Sequence, residues 1–137
     1  MFKLGLDYHG VITELSHILA PLTQQWCAAG NELHIITGTR ITDDFVGKLE
    51  AYGIKYTHLF SISDYHHHLG TPMTGYDEGQ PKIDPVIWNF TKAAYCETHK
   101  IDLHVDDSAV YEHYFTTPYA RFVNDGSEIK ISIKNRM

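Results

Sequence analysis

The sequence predicts an α/β protein with a three-layer Rossmann-like fold, built on a parallel sheet of about five strands, in a single domain spanning residues 1–137. Two observations support this prediction. Short apolar segments typical of buried strands alternate with longer segments that carry helix caps or a helical apolar stripe. Three of the apolar segments end in a polar residue, namely Asp7, Thr37 and Asp106. Alternating strands and helices typically form a parallel sheet covered on both faces.

The strands are predicted from short apolar runs bounded by polar or glycine residues. The first run, FKLGLD, ends in an acid, and the fourth, IDLHVD, does the same. The predicted strands cover residues 2–7, 32–37, 56–62, 101–106 and 119–123. The tail at residues 128–134 alternates in polarity, which is typical of an edge strand.

The first two helices are predicted from their terminal residues. Pro21 suits the first turn of a helix that ends at Gly30, so residues 11–19 are predicted to form a turn or small flap. Thr42 is a candidate N-cap, and Gly53 is a candidate end of the second helix.

The second half of the chain begins with a polar segment. Residues 63–82 are rich in Gly and Pro and are predicted to be a loop rather than a core element. Asp84 and Pro85 then form a cap and first-turn pair for a helix that extends to about Thr98. A short helix is predicted at about residues 109–115.

Composition limits the classes of function. The chain is 43% hydrophobic and 20% charged, as is ordinary for a globular protein, and no apolar run is long enough to span a bilayer. No signal peptide is visible, and the only cysteines, Cys27 and Cys96, lack a metal-type spacing. We therefore expect a cytoplasmic protein with no membrane partner. A net charge of −6 argues against nucleic acid as a partner.

The polar strand ends predict the place of a functional site. Ligands of open α/β sheets bind at the carboxyl ends of the strands. Asp7, Thr37 and Asp106 each end a different predicted strand, so we expect them to face one crevice.

Four motifs resemble those of the haloacid dehalogenase-like superfamily, whose members are mostly phosphatases. The motifs are DYHGVIT, HIITGTR, a lysine ahead of the last catalytic strand, and LHVDDS, and they occur in the family's order between residue 2 and about residue 108. Asp7 matches the first acid of the first motif, Thr37 and Gly38 match the second motif, and Asp106 and Asp107 match the fourth. The third motif is best matched by Lys82.

The resemblance implies a magnesium-dependent phosphomonoesterase. Asp7 would attack phosphorus, and water would hydrolyse the aspartyl-phosphate. Mg²⁺ would be held by Asp7, the backbone carbonyl of His9, Asp106 and Asp107, since this cation prefers oxygen ligands. Thr37 and Gly38 would bind the phosphate.

His9 departs from the family motif, which has a second acid at this position. An imidazole can exchange protons near neutral pH, so His9 is a candidate general acid and base. The alternative is a protein that retains the phosphate crevice and binds a phosphorylated ligand or partner without turnover. The sequence leaves both open.

The motif lysine and the role of the three consecutive histidines each have an alternative assignment. Lys82 is preferred as the motif lysine, and as a catalytic residue, over Lys92, because Lys92 falls inside a predicted helix. His66, His67 and His68 invite a zinc interpretation but lack a complete set of four ligands. We instead expect the 63–82 loop to overhang the crevice and to touch the leaving group of the substrate.

The spacing of the motifs leaves no room for a large cap domain. About thirty residues separate Asp7 from Thr37, enough for a flap and one helix. The expected substrate is a phosphorylated compound, most simply a small molecule. A small cap leaves the site open, which also allows a homo-oligomer in which a second copy of the chain covers the site.

Overall fold

The computed structural model describes residues 1–124 and 129–134 of the chain. Its main sheet has six strands in the spatial order β3-β2-β1-β6-β7-β8. The first five are parallel, and β8 pairs antiparallel with β7 at the edge. The strands of this sheet are β1 (Lys3–Leu6), β2 (Glu32–Thr37), β3 (His58–Ser61), β6 (Leu103–Asp106), β7 (Tyr119–Asn124) and β8 (Ile129–Lys134). The predicted α/β class and parallel sheet are confirmed.

Helices cover both faces of the sheet. They are α1 (Thr13–Ala28), α2 (Asp43–Tyr52), α3 (Ile62–Leu69), α4 (Pro85–Thr98) and α5 (Ala109–Glu112). A small antiparallel hairpin, β4 (Tyr76–Asp77) and β5 (Gln80–Pro81), precedes α4. Among the described residues no helix is both long and apolar enough to cross a lipid bilayer.

The core has one apolar layer on each face of the sheet. Leu6, Ile35 and Leu33 pack with Phe45 and Leu49 of α2 on one face. On the other face, Ile36 and Tyr119 share a cluster with residues of α4 and its neighbours. Burial on both faces explains why the strands read as continuous apolar runs rather than as alternating ones.

Three predicted helix boundaries agree with the structure for the expected physical reasons. The Thr42 hydroxyl accepts a hydrogen bond from the Phe45 amide at 3.1 Å and caps α2, which Gly53 ends in the left-handed conformation. The Asp84 carboxylate accepts from the Val86 amide at 2.8 Å, with Pro85 as the first residue of α4.

The predicted start of the first helix is wrong. Residues 11–19 do not form a flap: after a tight turn over Tyr8–Ile12, α1 begins at Thr13 and continues through Pro21. Burial of Val11, Ile12 and Leu19 draws this segment into the core. Pro21 lies on the exposed side of the helix, where the carbonyl that it leaves without a backbone donor can be hydrated.

The prediction of a loop over residues 63–82 is also wrong. Its first part is α3, which the Ser61 hydroxyl caps by accepting from the Asp64 amide and which Gly70 ends. Only one side of α3 is buried, so the polar sequence hides its helical pattern. The last part forms the β4–β5 hairpin. The tail agrees with the predicted edge strand over β8, while Glu128, the first residue of that prediction, lies outside the described residues.

The strand order places a crevice between β1 and β6. The chain adds β2 and β3 on one side of β1 and then returns to add β6 and β7 on the other. The helices that follow β1 and β6 therefore lie on opposite faces of the sheet. Such a reversal point is where open α/β sheets bind ligands.

Candidate active site at the carboxyl ends of the central strands

The two central strands deliver the acidic side chains to one crevice. Asp7 follows β1 directly, and its amide donates to the Val105 carbonyl of β6 at 2.9 Å. Asp106 is the last residue of β6, and Asp107 follows it. Oxygen atoms of all three carboxylates lie within 4.8 Å of one another. The predicted convergence of Asp7 with Asp106 is therefore present.

A buried lysine joins the two central acids. The Nζ of Lys92 lies 2.9 Å from Asp7 Oδ1 and 2.8 Å from Asp106 Oδ2. It also lies 4.9 Å from the centre of the Tyr111 ring. Lys92 and Asp106 are 2% and 0% exposed, so this ion pair is screened from water and its geometry is fixed by packing.

Lys92, not Lys82, occupies the place beside Asp7. Lys82 is exposed and follows the β4–β5 hairpin, where its backbone bonds Thr74 and Gly75. Lys92 does lie inside a helix, as predicted, but its Nζ contacts both Asp7 and Asp106 at the strand ends. A helical position therefore does not exclude Lys92, because a helix presents one face inward.

Burial and charge set the protonation of the acids. Burial raises the pKa of Asp7 to about 8, and the neighbouring carboxylates add to this rise while Lys92 opposes it. Burial would also raise the pKa of Asp106, but Lys92 and a hydrogen bond from His104 outweigh it and hold that pKa below its usual range. Burial raises the pKa of Asp107 as well. Near neutral pH, Asp106 thus carries the negative charge that pairs with Lys92.

His104 is a buried hydrogen-bond partner of Asp106. Its Nε2 lies 2.9 Å from Asp106 Oδ2, and its ring stacks on Phe115 with 5.1 Å between ring centres. Burial lowers the pKa of His104, so the neutral imidazole donates Nε2–H to the carboxylate. Asp106 Oδ1 accepts from the Ser108 amide at 3.1 Å. Both oxygens of Asp106 are therefore fixed in direction.

Thr37 and Gly38 lie at the carboxyl end of β2, on the same crevice. The Thr37 hydroxyl accepts from the Thr39 amide at 3.1 Å, which leaves its own proton available for a ligand. Gly38 is close to Trp88: a Cβ at residue 38 would stand 3.0 Å from the indole ring. The pair lies where the sequence predicts a phosphate contact.

His9 lies at the rim of the crevice. It is exposed, and its Nε2 lies 3.1 Å from the Thr39 hydroxyl. The next residue, Gly10, has φ +85°, and a Cβ there would fall 2.0 Å from Asp107 Oδ2. The turn after β1 therefore favours glycine at residue 10 for two reasons: its backbone conformation and the close approach of Asp107.

The crevice has a volume of about 350 Å³ and is open to solvent. Besides the residues above, Gln80 of the β4–β5 hairpin, Trp88 and Tyr111 line it, and Trp88 Nε1 donates to the Tyr111 hydroxyl at 3.0 Å. The lining residues are Asp7, His9, Gly10, Thr37, Gly38, Thr39, Gln80, Trp88, Lys92, Asp106, Asp107, Ser108 and Tyr111.

The three consecutive histidines do not reach the crevice. His66 is buried between α3 and α4, where its ring nitrogens lie 2.8 Å from the Thr71 hydroxyl and 2.7 Å from the Thr91 hydroxyl. His67 and His68 are exposed on α3. The expectation that these residues touch a leaving group is not met, because none of them lines the crevice. The hairpin, through Gln80, takes the overhanging position instead.

Several site residues were not identified from the sequence. Trp88 and Lys92 are four residues apart on α4, and His104 and Asp106 are two apart on β6. Each spacing places the pair on one face of its element. Spacing could therefore have identified His104 and Trp88 once Asp106 and Lys92 were accepted.

Comparison of the chain with protein-family models, with curated proteins and with solved structures gives no match in any of the three.

Proposed function

We propose that the protein is a magnesium-dependent phosphomonoester hydrolase of the haloacid dehalogenase-like type, which acts through an aspartyl-phosphate on Asp7. The observation that carries the proposal is the arrangement around Asp7. This carboxylate lies 2.9 Å from a buried ammonium group and within 4.8 Å of two further carboxylates, at the end of a central strand. The four resembling sequence motifs support the same reading.

The donor set suits Mg²⁺. Asp7, Asp106 and Asp107 offer only carboxylate oxygens, which are the ligands this hard cation prefers, and the open crevice leaves room for the waters it retains. A cation there would neutralise charge between the attacking carboxylate and the anionic ester. The backbone carbonyl of His9 remains a predicted further ligand.

The remaining residues divide the other tasks. The Thr37 hydroxyl and the Gly38 amide would hold phosphate oxygens, while Lys92 orients Asp7 and opposes the negative charge that develops at phosphorus. Lys92 uses two of its three N–H groups on Asp7 and Asp106. The third is free to reach a phosphate oxygen.

His9 would move the protons of both steps. When Asp7 attacks phosphorus, the ester bond breaks and the leaving oxygen takes a proton from His9. Water then gives a proton to His9 and attacks phosphorus, which releases inorganic phosphate and restores the Asp7 carboxylate. The contact of His9 Nε2 with Thr39 at 3.1 Å holds the imidazole at the rim, where a leaving group would exit.

A second function is favoured by the same residue. Because His9 replaces an acid and is largely exposed, the crevice could bind a phosphorylated ligand or partner without turnover. Either function suits a small phosphorylated molecule, given a crevice of about 350 Å³. A cytoplasmic location and closure of the site by a homo-oligomer belong to the proposal as expectations from the sequence.

A chromogenic phosphatase assay tests the proposal. The wild-type protein should hydrolyse a simple aryl phosphate with Mg²⁺ and lose this activity with a chelator. Lys92→Met should lower the rate by at least about 10²-fold, because a charge-stabilising donor is removed. Lys82→Met is the matched control and should retain the rate.

Circular dichroism checks that Lys92→Met is folded, since it leaves two buried carboxylates without their cation. No Mg²⁺-dependent hydrolysis by the wild type, together with retained binding of tungstate, would favour the non-catalytic function. A rate that falls in Lys82→Met and not in Lys92→Met would contradict the assignment of the lysine.

A further inference from the structure

A second group of potential metal ligands lies at the opposite end of the sheet. Glu32 is the first residue of β2, His34 follows two residues later, and His58 is the first residue of β3. His34 is paired with His58 in the register of the two strands. Residues two apart on a strand, and residues paired across neighbouring parallel strands, face the same side of the sheet. The three side chains therefore meet on one face, beneath the end of α4.

The ligand atoms of this group are close together. Glu32 Oε1 lies 2.8 Å from His34 Nε2 and 4.0 Å from His58 Nδ1, and all three residues offer ligand atoms within 4.8 Å of one another. A tetrahedral zinc ion with bonds of about 2.0–2.1 Å separates its ligand atoms by about 3.3 Å. The observed distances bracket this value, so the ligand atoms already lie near the spacing that the ion requires.

Tyr95 provides the outer partner that a metal-binding histidine normally has. Its hydroxyl lies 2.7 Å from His34 Nδ1. With a metal on Nε2, the proton of the imidazole moves to Nδ1 and is donated to the Tyr95 oxygen. Such a partner fixes the tautomer and the ring orientation of the ligand.

We propose that Glu32, His34 and His58 form a binding site for one divalent transition-metal ion, with Zn²⁺ as the best match. Two imidazoles and one carboxylate suit zinc, whereas the all-carboxylate set at the other end of the sheet suits magnesium. The ion would link the start of β2 to the start of β3, so its role is structural. This site does not depend on the phosphatase proposal.

Binding requires His58 to turn. Its ring is stacked on that of His34 with 4.1 Å between centres and 4° between planes, and a metal must lie in the plane of each ring that binds it. The side chain of His58 is 46% exposed and is held by a 2.8 Å contact with the Thr57 hydroxyl, so rotation costs one hydrogen bond and the stack. Lys3, whose Nζ is 3.9 Å from Glu32 Oε1, must also withdraw toward solvent.

Calorimetric titration with ZnCl₂ in saturating Mg²⁺ tests the site, and titration with Co²⁺ followed by visible absorption reports its geometry. The wild type should bind one Zn²⁺ per chain and show the absorption of four-coordinate Co²⁺ with imidazole ligands. Binding should also raise the melting temperature, because the ion binds the folded state. His58→Ala and Glu32→Gln should each weaken Zn²⁺ by at least about 100-fold, and Tyr95→Phe by about 10–100-fold.

Two control variants exclude candidate ligands elsewhere on the chain. His67→Ala with His68→Ala removes the exposed histidines of α3, and Asp106→Asn removes a ligand from the acidic crevice; both should leave Zn²⁺ affinity unchanged. His58→Ala removes an exposed side chain and should fold, so its result is decisive. No Zn²⁺ binding by the wild type, affinity unchanged in His58→Ala and Glu32→Gln, or affinity lost only in a control variant would each overturn the proposal.

Discussion

At the scale of single residues, the site is a set of charges whose balance depends on Lys92. The carboxylates of Asp7 and Asp106 both contact one ammonium group that is almost wholly buried, and Asp107 lies beside the two acids. Breaking a buried ion pair by removing one partner is costly because the other charge is left without compensation. His9 is the residue that decides between the two functions.

Three proteins measured side by side determine the role of His9. If His9 is the general acid and base, His9→Ala should lower the hydrolysis rate by about 10²–10⁴-fold, because a positioned proton donor contributes that much. Magnesium affinity should change little, since the three carboxylates are retained. The rate of aryl phosphate hydrolysis and calorimetric Mg²⁺ binding measure the two quantities.

His9→Asp is the third protein, and it restores the acid of the family motif. If His9 instead marks lost chemistry, the wild type should be as slow as His9→Ala while His9→Asp is faster. That ranking would refute the proton-transfer role assigned to His9.

At the scale of elements, the site depends on how closely the turn after β1 approaches the loop after β6. Gly10 allows this approach. Its φ of +85° favours glycine, and an added Cβ would fall 2.0 Å from the Asp107 carboxylate. The first effect is a backbone strain found at several turns, whereas the second is specific to the site.

A pair of glycine variants separates these two effects. Gly30 has nearly the same φ, +86°, but nothing lies within 4 Å of a Cβ placed there. Gly30→Ala should therefore show only the strain, a loss of about 1 kcal/mol in the free energy of unfolding. Gly10→Ala should show a similar or larger loss and should also weaken Mg²⁺ by displacing Asp107. Urea unfolding measures the free energy of unfolding, and calorimetry measures the Mg²⁺ affinity. Equal Mg²⁺ affinity in both variants would show that Asp107 is not a ligand.

The elements that were predicted correctly from the sequence are those whose signals are local. Thr42 and Gly53 bound α2, and Asp84 with Pro85 begins α4, because a cap is a contact between near neighbours in the chain. The apolar strands are equally clear, and their polar ends gave Asp7, Thr37 and Asp106. The errors came from tertiary context. Pro21 predicts a helix start, but burial of Val11 and Ile12 places the beginning of α1 earlier in the chain. The preference for Lys82 is wrong because the tertiary packing of α4, which the sequence does not show, buries Lys92 against Asp7 and Asp106.

At the scale of the whole molecule, the described part of the sheet carries two polar clusters, one at each end. The carboxyl ends of β1 and β6 bear acids, two of which contact Lys92 of α4, and the amino ends of β2 and β3 bear a glutamate and histidines. The layers of apolar side chains between them keep the two clusters apart. Each cluster therefore responds to pH through its own groups.

The raised pKa of Asp7 links magnesium binding to pH. With a pKa of about 8, Asp7 is mostly protonated at pH 7, and a bound cation must displace that proton. We therefore expect about one proton to be released per Mg²⁺ at pH 7, and none above about pH 9. Calorimetry in buffers of different ionisation enthalpy measures the release. Mg²⁺ binding at pH 7 without proton release would show that Asp7 is not a ligand or is already ionised.

The same shift has a signature in stability. The pKa of Asp7 is higher in the folded chain than in the unfolded one. Its contribution to the free energy of unfolding is therefore fully present below about pH 4 and is lost as the pH rises through about 8. Without a divalent cation, the melting temperature should therefore fall between about pH 4 and pH 8 as this contribution of Asp7 is lost. Asp106, whose pKa is depressed, acts at the acid end instead. Saturating Mg²⁺ should remove the part of the pH dependence of the melting temperature that is due to Asp7.

If the protein acts through an aspartyl-phosphate, Asp7 becomes covalently phosphorylated, and chemical trapping detects this intermediate. The protein is incubated with Mg²⁺ and an aryl phosphate, quenched in acid and reduced with borohydride, which converts an aspartyl-phosphate to homoserine. Mass spectrometry of the peptide containing residues 2–13 then identifies the modified position. We expect homoserine at residue 7 in the wild type and none in Asp7→Asn. Magnesium-dependent hydrolysis with no modification of Asp7, or with the modification at Asp106 or Asp107, would contradict it.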